Sequence, residues 1–68
     1  MDERPPLTAA LIEILELSDK NDTLHSKELA EMLGKSHHTV DKEWELILKH
    51  YDVHGRYEAR EKWRAGKA

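Results

Sequence analysis

Ser26-Lys27-Glu28-Leu29-Ala30-Glu31-Met32-Leu33-Gly34-Lys35-Ser36-His37-His38-Thr39-Val40 is the stretch that decides the fold. Its apolar positions, Leu29, Ala30, Met32 and Leu33, follow helical spacing from a start near His25 or Ser26. Gly34 comes directly after them, where a glycine supplies the left-handed conformation that ends a helix. Ser36, two residues on, is a helix N-cap. A helix that ends in glycine, turns within three residues and restarts at a serine cap describes a helix-turn-helix. Ala30 is small where the two helices would cross, and Val40 locks the second against the first. In this geometry the N-terminal residues of the second helix can enter a DNA major groove.

The flanks extend the pattern in both directions. Pro5-Pro6 disfavours helix before it, and Thr8 then caps a first helix, with Leu7 and Ile12 as a hydrophobic staple. Leu11, Ile14, Leu15 and Ser18 carry that helix from about Thr8 to Leu17, and the polar run Ser18–Asp22 ends it. Beyond the turn, Val40, Trp44, Ile47, Leu48 and Tyr51 fall at i, i+4, i+7, i+8 and i+11, an amphipathic stripe. Asp52-Val53-His54-Gly55 breaks it. A last helix from Arg56 to about Arg64 sets Ala59 and Trp63 on one side. No alternating β-branched run, internal repeat or low-complexity tract appears. The expectation is an all-α, compact four-helix domain over residues 7–64, with a flexible leader at 1–6 and a fraying tail at 65–68.

Composition narrows the function. Sixty-eight residues allow one thin core, and with no cysteine there is neither a disulfide nor a thiolate metal site. No apolar run approaches the roughly 18 residues of a membrane span, and Met1–Pro6 is too charged for a signal peptide, so a soluble cytoplasmic protein is expected. Eleven basic residues against fourteen acidic ones give a net charge of −3, unevenly placed. Residues 1–34 carry three basic and eight acidic side chains, residues 35–68 eight and six. One acidic and one mildly basic side are expected. Catalysis has no support: no serine, histidine and acid are set together, no glycine-rich phosphate loop exists, and so small a domain offers little pocket. No enzyme activity, cofactor or metal is expected. His50 and His54 have i,i+4 spacing, but Asp52-Val53 ends the helix between them.

The sequence resembles the LuxR-type helix-turn-helix family of bacterial response regulators and quorum-sensing receptors. The resemblance covers about Leu7–Trp63. It is carried by Leu7-Thr8, by Lys27-Glu28-Leu29-Ala30-Glu31-Met32-Leu33-Gly34, by Ser36 and by Thr39-Val40. The most diagnostic part is Ile47-Leu48-Lys49-His50-Tyr51-Asp52-Val53-His54-Gly55-Arg56-Tyr57-Glu58-Ala59, because generic helix-turn-helix domains share the turn but not this continuation. The resemblance implies a four-helix domain whose third helix reads DNA and whose fourth often forms a dimer. After Thr39-Val40 the family usually has a basic residue, and two positions further commonly a histidine; this chain has Asp41 and Glu43.

The site expected is therefore Lys27, Ser36, His37, His38, Thr39, Asp41 and Lys42, with the third helix (about 36–51) in the major groove of double-stranded DNA. Backbone N–H groups at the start of that helix attract phosphate beside His37 and His38. Lys27 would hold the backbone, a contact that sets register without reading sequence. Asp41 repels phosphate yet can accept from a cytosine amino group. Ala59 and a partly exposed Trp63 are expected to support a weak homodimer. The alternative is a helix-turn-helix used as a protein-interaction module, its acidic recognition surface docking a basic partner.

Overall fold

In the computed structural model, which describes residues 4–67, short local signals set most of the helix ends. α1 (Ala9–Asn21) starts at Thr8, whose extended backbone lets its Oγ1 accept from the Leu11 N–H at 3.4 Å. It runs one turn beyond Leu17. Ser18 is fully buried, and Asn21 Nδ2 donates to the Leu17 carbonyl, so the polar run prolongs the helix. The end comes at Asp22, in the left-handed region at φ 47°.

α2 (Ser26–Leu33) ends as expected at Gly34, with φ 67° and ψ 33°. The Lys35 N–H reaches back to the Ala30 carbonyl at 3.0 Å, the 6→1 bond of a Schellman turn. α3 (His37–Tyr51) starts on Ser36, whose Oγ accepts from the Thr39 N–H at 3.2 Å. It stops at Asp52, also left-handed. α4 (Arg56–Lys67) outruns the expected end at Arg64 and takes in residues 65–67. Met1–Glu3 of the leader and Ala68 lie outside the described residues.

α3 packs on each of the other three helices, because its stripe Val40, Trp44 and Ile47 is fully buried at the centre of the core. Leu11, Ile14 and Leu15 meet it from α1, Leu29 and Ala30 from α2, and Ala59 and Trp63 from α4. Each fully buried aliphatic side chain contributes about 1.5–3 kcal/mol. Two expectations need correction. Leu33, expected in the core with Leu29, is only partly buried, since eight residues give α2 room for one narrow contact face. Trp63 is 7% exposed and Ala59 not at all. In so small a core the last aromatic is needed to close the gap between α1 and α4, so neither residue presents a dimer surface.

Arg60 is the polar residue that the sequence gives no reason to place inside. It is 5% exposed, and its Nη1 donates to the Ser18 carbonyl at 3.3 Å and lies 3.4 Å from Asp22 Oδ1. A guanidinium at the C-terminal end of α1 adds a donor to a carbonyl that also accepts from the Thr23 N–H at 3.1 Å, and it opposes the negative end of the helix dipole. Arg64 makes a second α4–α1 link, to Asp19.

Candidate nucleic-acid interface

Position along α3 decides which side chains face outward. At 3.6 residues per turn, the buried line Val40–Trp44–Ile47 places His38, Lys42, Glu45 and Lys49 on the opposite side. All four are exposed, and so is Leu46 beside them, at 40%. The stripe is about 16 Å long at 1.5 Å per residue. Lys42 and Lys49 make no ion pair among the described residues, and neither does the exposed Lys27 in the first turn of α2. The LuxR-type resemblance drew attention to Lys27 and Lys42; Glu45, Leu46 and Lys49 join them only once the facing of α3 is fixed. The signal was present, as the complement of the apolar stripe.

The two acids expected to disturb this surface lie on its flanks and are paired inward. Glu43, with a side chain 15% exposed, receives both carboxylate contacts from Lys35 Nζ at 3.1 Å. Lys35 is positioned by the Schellman turn, so the sharp end of α2 brings it across to α3. On the other flank Asp41 Oδ1 accepts from the Ser26 hydroxyl and from Arg56 Nη2, the latter at 3.1 Å. Arg56 in turn donates from Nη1 to the Leu24 carbonyl and to Ser26 Oγ, each at 2.9 Å, and its guanidinium lies 5.4 Å from the centre of the Trp44 ring. One side chain at the start of α4 thus ties the loop before α2, the first residue of α2 and the flank of α3 together. The hydrogen bond from Ser26, and then the Arg56 guanidinium, hold the Asp41 carboxyl below the usual carboxylate range.

Asp41 was expected near bases or phosphates. Its engaged oxygen is instead turned back into the domain, because Arg56 supplies there the cation that a DNA-facing residue would lack. Ser36 and Thr39 are exposed at the start of α3, with their hydroxyl oxygens 3.0 Å apart, and both serve the cap. His37 and His38 are exposed with ring centres 4.3 Å apart. Lys27, Lys42, His37 and His38 are therefore open to a ligand, Ser36 and Thr39 are shared between cap and surface, and Asp41 belongs to a structural network. His50 is engaged elsewhere: its Nδ1 lies 2.8 Å from the Pro5 carbonyl, while His54 lies beyond the end of α3.

The concavity between α1 and α4, lined by Glu13, Glu16, Leu17, Trp63 and Lys67 among others, takes no residue from α2 or α3. No helix among the described residues is long and apolar enough to cross a membrane. Comparisons of the chain with protein-family models, with curated proteins and with solved structures found no match.

Proposed function

We propose that this domain binds double-stranded DNA as part of a cytoplasmic transcriptional regulator, with α3 lying in the major groove. The observation that carries the reading is the His38–Lys42–Glu45–Lys49 stripe, exposed along the helix after the turn while Asp41 and Glu43 are neutralised from within. Lys42 and Lys49 supply phosphate contacts, and Lys27 adds one from α2. The free backbone N–H groups at the start of α3 favour a further phosphate beside His37 and His38. Glu45 and Leu46 are the side chains of the stripe able to discriminate bases, one by accepting from a cytosine amino group, the other by contact with a thymine methyl. The resemblance to LuxR-type domains agrees with this use of the third helix, and no catalytic activity is proposed.

The interaction-module reading needed an acidic recognition surface. Its two acids already have basic partners within the chain, which weakens the attraction a basic protein would find there. Duplex DNA titrated with the domain at two salt concentrations tests the proposal: binding that weakens with salt supports it, since phosphate contacts release counterions. Absence of binding at low salt rejects it.

A further inference from the structure

His37, His38 and Asp41 each offer one ligand atom, and these atoms all lie within 4.8 Å of one another on the first turn and a half of α3. Asp41 stands at i+4 from His37 and i+3 from His38, the two spacings that put side chains on neighbouring positions of a helix face. The imidazoles lie side by side, at an interplanar angle of 32°, and neither has a hydrogen-bond partner among the described residues. We propose that His37, His38 and Asp41 form a binding site for a divalent transition-metal ion of the zinc class.

The chemistry of the donors selects the ion. Two neutral imidazole nitrogens and one carboxylate oxygen suit Zn²⁺, as three protein ligands of an open tetrahedral site whose fourth position takes water. Bonds of about 2.0–2.1 Å place tetrahedral ligands roughly 3.4 Å apart, so the widest spacing in the site must close by up to about 1.4 Å. Rotation of two exposed imidazoles accomplishes that without moving the backbone. Asp41 need not move at all. The Ser26 hydroxyl and the Arg56 guanidinium hold its Oδ1 and fix the plane of the carboxylate, as outer hydrogen bonds do for metal-ligating carboxylates. The same network that keeps Asp41 from facing DNA therefore prepares it as a ligand.

Two effects oppose binding and set its strength. Arg56 competes for the carboxylate charge at 3.1 Å, and the N-terminal end of a helix disfavours a cation. With three ligands and these opposing charges, affinity in the micromolar range is expected, far from that of a closed structural zinc site. The site does not depend on the DNA reading, because all its donors belong to the free domain.

The test uses the whole chain without DNA, titrated with ZnCl₂ in a non-chelating buffer, with heat and the histidine side-chain NMR signals as readouts. One ion per chain should bind, shifting the His37 and His38 signals and leaving His54 in place. H37A and H38A should each weaken binding by about tenfold or more, and H54A should leave it unchanged. Circular dichroism of the variants reports that the helices persist, as expected for exposed first-turn residues. Absence of binding at about 1 mM Zn²⁺, or equal binding by the double variant H37A/H38A, would overturn the site.

Discussion

The guanidinium of Arg56 and the carboxylate of Asp41 meet at 3.1 Å and join the first turn of α4 to the flank of α3. Ser26 completes the contact from α2, so three helices share one charge-assisted network at the edge of the helix-turn-helix. An acid on a proposed DNA-binding helix thus sets the position of that helix and does not face a phosphate.

Replacing Asp41 should show this through pH. Its carboxyl titrates lower in the folded chain than in the unfolded one, so its contribution is fully present above about pH 4 and is lost as pH falls through the depressed value. D41N should lower the melting temperature at pH 7, and the gap from the parent chain should narrow by pH 3. Melts at both pH values check it; a gap that widens in acid would contradict the network.

Arg56→Ala removes the donors to the Leu24 carbonyl and Ser26 Oγ as well. A loss of about 2 kcal/mol is expected in urea unfolding, the scale of a hydrogen-bonded charge removed from a half-buried place. DNA affinity should fall as well, since Asp41 regains an unpaired charge beside the stripe.

Trp63→Ala should cost about 3–5 kcal/mol, because the ring is 7% exposed and closes the space between α1 and α4. That loss is enough to unfold a domain of this size, so Trp63→Phe provides the graded comparison with a smaller loss in the same direction. Denaturation curves decide it. A variant as stable as the parent chain would return Trp63 to the surface role first expected of it.

Asp52 ends α3 in the left-handed region at φ 56°, where a side chain is strained and a negative charge opposes the helix dipole. Its ion pair with Arg4 at 3.8 Å is exposed and contributes little. Asp52→Gly should therefore stabilise the domain by about 1 kcal/mol. Thermal melting checks the sign.

Local signals made most of the fold legible in the sequence. The Thr8 and Ser36 caps, the Gly34 stop and the 3.6-residue stripe of α3 each act within a few residues, and all stand where expected. What was missed acts between helices. Nothing near Asp41 in the chain announces Arg56, fifteen residues on, and nothing near Glu43 announces Lys35 across the turn. Read without those partners, the two acids resembled an acidic surface. Trp63 was misjudged for a related reason: proximity to a terminus says little about burial when α1 and α4 leave a gap of tryptophan size. The burial of Arg60 follows from where α1 ends, and that end was placed a turn too early.

The central claim is that the outward stripe of α3 meets DNA phosphates, and its most direct test is the salt dependence of duplex binding by the parent chain, Lys42→Ala and Lys49→Ala. These lysines are exposed and unpaired among the described residues, so both variants should fold as the parent does. Plotted as log affinity against log salt, the parent chain should give a negative slope, and each variant should lose about one unit of it as one phosphate contact disappears. Identical slopes for all three proteins, or no binding to duplex DNA at low salt, would contradict the account.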